Sequence, residues 1–246
     1  MQTFLNLAYG NDPEQMLDVH LPDTKATAAF LYFHGGGIVS GDKTRDVHFP
    51  SKLADNGVAL FSANYRMYPN ARYPEFIEDA ASAVAFAKAY IDEHLDGVPL
   101  YVGGSSAGGY LSMMLCFDSR YLRAVGLDNS AIAGYFHDAG QPTAHFNVLK
   151  NADVDPRRVI VDERAPLYYV GIEKSYPKMR FLVSDHDMEC RYEQTMLLLA
   201  TLKHFGYEHY DHIVMNGTHC AYCHRYDENG ISEVGQMILD FIEADI

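Results

Sequence analysis

Short runs of consecutive apolar residues alternate with longer stretches in which apolar residues recur every three or four positions. The runs at about 28–33, 58–63, 98–103, 131–136, 179–184 and 209–215 read as strands covered on both faces. The stretch 74–94 places Ile77, Ala80, Ala81, Val84 and Ile91 on one helical face, and the last helix does the same with Val234, Met237, Ile238, Phe241 and Ile242. Such alternation predicts one doubly wound α/β domain over 1–246, with a mostly parallel central sheet and helices on both faces. Both stripes are core surfaces without chemistry. The least regular region is 137–178, and no internal repeat or low-complexity tract is present.

Composition narrows the class. With 246 residues, 48% hydrophobic and 21% charged, the chain can bury a large core and is not a disordered sequence. A net charge of −14 argues against a nucleic-acid partner and against adhesion to anionic membranes. No apolar run approaches the ~20 residues of a membrane span. Residues Met1 to Asn6 have neither a basic start nor a long apolar core, so no signal peptide is expected. Four cysteines, at 116, 190, 220 and 223, suit a reducing cytoplasm better than a disulfide scaffold.

The chemistry enters with Gly104-Ser105-Ser106-Ala107-Gly108. This G-x-S-x-G follows an apolar run and precedes the helix-like Tyr110 to Leu115. A serine on so tight a strand-to-helix turn projects its hydroxyl off the end of the sheet. The helix starting there turns its positive end and free N–H groups toward the reacting centre. A bland alternative is a glycine-rich turn with a serine cap. Upstream, the strand Phe30 to Phe33 runs into His34-Gly35-Gly36-Gly37. Bare glycine amides can approach the oxyanion of an attacked carbonyl without side chains in the way. The phosphate-loop pattern G-x-x-x-x-G-K-[ST] is absent. Together the two motifs point to a serine hydrolase.

From about Leu17 onward the chain resembles the α/β-hydrolases of the short carboxylesterase type, related to hormone-sensitive-lipase-like and acetyl-esterase-like families. Besides the two glycine motifs, the resemblance rests on Leu17 to Pro22, Gly41-Asp42-Lys43, Asn64-Tyr65-Arg66-Met67-Tyr68-Pro69, Tyr73-Pro74 and Glu78-Asp79-Ala80. It implies an α/β-hydrolase fold with a small cap or none, and a small lid-like insertion around 137–178. Ser106 is then the nucleophile, and Gly35, Gly36 and Ala107 supply the oxyanion amides. In this fold the order is Ser, acid, His. The family pattern favours Asp187 in Ser184-Asp185-His186-Asp187 as the acid, with Asp185 its rival. It makes His219, after Asn216-Gly217-Thr218, the base. His204, His209 and His212 are expected on surfaces or in local hydrogen bonds. Where the family often carries Gly-Phe after this His, Cys220-Ala221 stands here, leaving the wall of the acyl pocket open.

The expected activity is hydrolysis of small soluble carboxylic esters of short acyl groups, acetyl esters among them, with no cofactor and no metal. The partner is a small-molecule ester, and the sheet edges leave a homodimer open. An arylformamidase or a small peptidase would use the same triad, although Gly37-Ile38 lacks the large aromatic usual after H-G-G-x in arylformamidases. A non-catalytic ligand-binding hydrolase fold is the reading from another class. Finally, Cys220-Ala221-Tyr222-Cys223-His224 spells the haem-attachment pattern and, with His219, hints at a zinc site. Two reduced cysteines beside an active-site loop, with oxidation sensitivity as a corollary, is the expectation here.

Overall fold

The structure, a computed structural model, describes residues 1–44, 50–228 and 232–244. Its strands are β1 (Gln2–Ala8), β2 (Met16–Leu21), β3 (Ala28–Phe33), β4 (Val58–Ala63), β5 (Leu100–Ser105), β6 (Gly134–Asp138), β7 (Lys178–His186) and β8 (Tyr210–Thr218). They form one sheet in the order β1-β2-β4-β3-β5-β6-β7-β8. The β1–β2 and β2–β4 pairs are antiparallel, and every other neighbouring pair is parallel. This is the mostly parallel sheet that the alternation of apolar runs and helical stripes implies, with an antiparallel edge added.

The helices are α1 (Pro50–Asp55), α2 (Glu75–His94), α3 (Ala107–Phe117), α4 (Arg120–Ala124), α5 (Phe146–Asn151), α6 (Arg191–His204) and α7 (Glu233–Glu243). Successive strand residues face opposite sides, which is why β3, covered on both faces, is apolar at every position. Leu31 and Phe33 pack with Val102 and Tyr135 under α2, α3 and α6. Phe30 and Tyr32 pack with Leu60, Tyr101, Phe136 and Leu182 under α1 and α7. The two predicted core stripes occupy these two layers, one on each side of the sheet.

Element ends depart from the sequence pattern for local reasons. Strand β5 starts at Leu100, not 98, since Pro99 has no N–H to give the ladder and serves only as acceptor, from Ala29 at 2.9 Å. Strand β6 starts at Gly134, because Asn129–Ala131 form a 3₁₀ turn capped by the Asp128 side chain. Strand β1 has no continuous apolar run, its apolar residues being broken by Asn6, and as an edge strand it is mostly exposed. Among the described residues no helix is long and apolar enough to cross a membrane.

Between β6 and β7, α5 and a 3₁₀ turn at Pro166–Tyr169 pack onto the domain. Asn147 Nδ2 donates to the Gly37 carbonyl (2.7 Å), Thr143 Oγ1 to Gln194 Oε1 (2.9 Å) and Tyr110 Oη to the Arg164 carbonyl (2.7 Å). Ala144, Leu149 and Ala165 form a small core of their own there.

Two ion pairs tie the N-terminal half together. Arg66 grips Asp79 through Nε to Oδ2 at 2.9 Å and Nη2 to Oδ1 at 2.7 Å, joining the loop after β4 to α2. Lys43 Nζ lies 3.0 Å from Asp18, both side chains being buried, and Lys43 N donates to Asn64 Oδ1 at 2.5 Å. Removing one partner of a buried pair strands the other charge. Asp18→Ala is therefore expected to cost about 3–5 kcal/mol, read as a lower urea midpoint with an unchanged slope.

Candidate active site

Ser106 occupies the single residue between β5 and α3, with φ 56° and ψ −110°. A left-handed φ at a residue other than glycine costs of order 1–3 kcal/mol. The turn is held from outside: Ser106 N donates to the Asp138 carbonyl at 2.7 Å, and Tyr110 N to the Ser106 carbonyl at 3.0 Å. The start of α3 also lies hard against the end of β3. A Cβ on Gly108 would sit 1.9 Å from the Phe33 carbonyl oxygen, so no larger residue fits.

His219 follows the last residue of β8, whose carbonyl accepts from Ser184 Oγ at 2.9 Å. Its Nε2 is 2.8 Å from Ser106 Oγ and its Nδ1 is 2.5 Å from Asp187 Oδ1. Both contacts are satisfied when Nδ1–H donates to the carboxylate and the serine O–H donates to Nε2. Asp187 is buried in the turn after β7, where it also accepts from Ser184 N at 3.1 Å and Met188 N at 2.7 Å. Burial pushes its carboxyl upward. The His219 hydrogen bond and charge, with the two backbone donors, outweigh burial and hold it below the usual carboxylate range.

The rival acid faces elsewhere. Asp185 is exposed, accepts from Gly217 N at 2.8 Å and pairs with His186 Nδ1 at 2.8 Å. It braces the turn before His219 instead of meeting the imidazole. His204, His209 and His212 are exposed.

Beside the serine lies the glycine loop. A Cβ on Gly35 would sit 3.3 Å from the Ser105 carbonyl oxygen and 3.4 Å from Ser106 Cβ, so this backbone is packed against the nucleophile turn. Gly36 has φ +105°, and its carbonyl accepts from both Val39 N and Ser40 N at 3.1 Å. His34 is buried, stacks on Tyr65 with centroids 4.5 Å apart, and contacts the Gly35 carbonyl through Nδ1 at 2.7 Å. Among the described residues the N–H groups of Gly35, Gly36 and Ala107 donate to no other group. Ala107 is the first residue of α3, where positive dipole favours a developing negative charge.

Sequence reasoning missed the support beneath. Asp138, at the end of β6, is fully buried. Its carboxylate accepts from Ser105 Oγ and Tyr222 Oη, and Cys223 Sγ is 3.5 Å away. Tyr32 Oη in turn donates to Ser105 Oγ at 2.8 Å. Burial raises the Asp138 carboxyl above its ordinary value, opposed by the hydrogen bonds from Ser105 and Tyr222. One aspartate thus holds the serine turn through its carbonyl and the loop after His219 through its side chain. An aspartate ending an apolar strand was the one signal available, and it is silent about Tyr222, which is 84 residues away.

A family model described as BD-FAE matches residues 17–149. Esterase LipC of Mycobacterium tuberculosis is 37% identical over 112 residues, covering 43% of this chain and 28% of that protein. A probable isoprenylcysteine alpha-carbonyl methylesterase of Arabidopsis thaliana, ICMEL1, is 26% identical over 157 residues, 60% of this chain and 32% of that one. The matches thus span about a third or less of these relatives' own length. Among solved structures, a truncated carbohydrate esterase from gut microbiota has a TM-score of 0.75 at 17% identity, covering 98% of this chain and 96% of its own. Esterase B from Lactobacillus rhamnosis, inhibited by a C4-C4 tributyrin phosphonate, has a TM-score of 0.77 at 16% identity over 98% of this chain and 84% of its own. These likenesses show the fold.

The Asp138–Tyr222 contact yields a direct test. Tyr222→Phe removes one donor from a buried carboxylate and is expected to lower stability by about 1.5–3 kcal/mol, measured by thermal unfolding. A change below a few tenths would mean that the contact carries no weight.

Proposed function

The chain belongs to the BD-FAE family, among the α/β-hydrolase carboxylesterases, and we propose that it is a serine esterase of small soluble esters with short acyl groups. The observation that carries this reading is the run of contacts from Ser106 Oγ to His219 Nε2 (2.8 Å) and from His219 Nδ1 to Asp187 (2.5 Å), beside three free amides.

In the proposed mechanism His219 takes the Ser106 proton as Oγ attacks the ester carbonyl. A serine hydroxyl is too weak a nucleophile near pH 7 without such a base. The amides of Gly35, Gly36 and Ala107 receive the oxyanion, donors already in place when charge develops. Asp187 keeps the Nδ1-protonated tautomer and stabilises the imidazolium. His219 then protonates the leaving alcohol, and a water activated by the same imidazole frees the acyl group. None of these steps requires a metal or an organic cofactor.

Substrate size follows from the surroundings. Between β6 and β7 the described residues form only α5 and a 3₁₀ turn at Pro166–Tyr169. So little cover favours small soluble esters over long lipid chains. The four cysteines are free thiols, which supports a reducing, cytoplasmic setting as part of the same reading.

Two sets of measurements test it. With p-nitrophenyl acetate, Ser106→Ala should form no acyl-enzyme, and Asp187→Asn should lose about 10⁴-fold in kcat while remaining folded. Asp185→Asn should stay within about tenfold of the wild type, and the reverse order would make Asp185 the acid. Across acetate, butyrate and octanoate esters, kcat/KM should fall with chain length; faster hydrolysis of dispersed long-chain triglyceride would overturn the small-ester assignment.

A further inference from the structure

The mechanism leaves one group of side chains unused. Asp138, Cys220 and Cys223 offer a carboxylate oxygen and two sulfurs that all lie within 4.8 Å of one another. Cys220 caps the 3₁₀ turn Ala221–His224 directly after His219, Cys223 lies within it, and Asp138 meets them from the end of β6. A C-x-x-C on a tight turn is a common way to aim two sulfurs at one point.

Two separations fall at the edges of a tetrahedral metal site. Tetrahedral zinc, with Zn–S of ~2.3 Å and Zn–O or Zn–N of ~2.0–2.2 Å, sets its ligand atoms ~3.5–3.8 Å apart. Cys223 Sγ is 3.5 Å from Asp138 Oδ2, and Cys220 Sγ is 3.7 Å from His219 Nε2. The carboxylate is also oriented as ligating carboxylates are, by hydrogen bonds from outside, here Ser105 Oγ and Tyr222 Oη. Two sulfurs with one oxygen select a borderline-soft divalent ion over magnesium or calcium.

We propose that Asp138, Cys220 and Cys223 form a binding site for one thiophilic divalent cation of the zinc class, and that its occupancy silences Ser106. The silencing half rests on the catalytic roles given above to Ser106 and His219; the binding half does not. On binding, each thiol gives its proton to solvent and forms one metal–sulfur bond, and Asp138 supplies the third ligand atom. His219 Nε2, one ligand edge from Cys220, is drawn from Ser106 toward the open fourth position. The cation beside it also opposes the imidazolium that the reaction needs.

The test uses the full chain, kept reduced by a non-chelating phosphine. Zinc binding is measured by competition with a chromophoric chelator, and cadmium binding by thiolate-to-metal absorption. We expect one ion per chain, with affinity at least ~100-fold weaker in Cys220→Ala/Cys223→Ala. In the wild type, zinc should protect half-buried Cys220 from alkylation while leaving exposed Cys190 reactive, a readout that needs no variant to fold. Zinc should abolish p-nitrophenyl acetate turnover reversibly, and whatever activity the double variant retains should be zinc-insensitive. Stoichiometric binding that survives loss of both cysteines, or no protection of Cys220, overturns the site. Binding at the site with turnover unchanged overturns the silencing alone. An absence of esterase activity without zinc counts against the proposed function and leaves the binding result standing.

Discussion

The whole site depends on one close approach, that of the Phe33 carbonyl to Gly108 at the first turn of α3. It brings the end of β3 against the start of the helix that begins at the nucleophile, and a Cβ at Gly108 would come within 1.9 Å of that oxygen. Because the approach is possible, the Gly35 backbone reaches the Ser106 turn. Because it is tight, Ser106 is driven into a left-handed conformation that costs energy locally and is held by the surrounding sheet.

The energy stored in that turn is offset by contacts made on other elements. Strand β6 contributes the Asp138 carbonyl to Ser106 N and the Asp138 carboxylate to Ser105 and Tyr222. The serine turn and the histidine loop, 113 residues apart in the chain, therefore share one buried support. Two aspartates one strand apart are used differently. Asp187 is wrapped in backbone donors and the imidazole, which keep it ionised below the usual range, whereas Asp138 sits among hydroxyls and thiols where burial raises it. The first suits a partner for a developing imidazolium; the second is an anchor, and with two sulfurs beside it, a ligand.

Much of the fold was legible in the chain. Ala28–Phe33 is apolar at every position and Val58–Ala63 at all but Ser62, because helices cover both faces, and their limits match the apolar runs. Edge strand β1 was not legible, since an exposed strand carries no such run. Pro99 and the Asp128-capped turn shifted two strand starts, which local chemistry explains once it is considered.

By itself the sequence determined the strand–turn–helix around Ser106 and the glycine loop after β3, because each depends on residues adjacent in the chain; the order of serine, acid and histidine came from the family resemblance. Only tertiary structure decided that Asp187 and not Asp185 meets His219. Asp185 lies at the end of β7 and Asp187 just beyond it, two residues apart, and the choice depends on which way β7 ends against β8, where Gly217 N donates to Asp185. It also decided that Asp138, Tyr222 and two cysteines share one buried cluster. Such a cluster has no period and no fixed spacing; it exists only where β6 and the loop after β8 come together at the same end of the sheet.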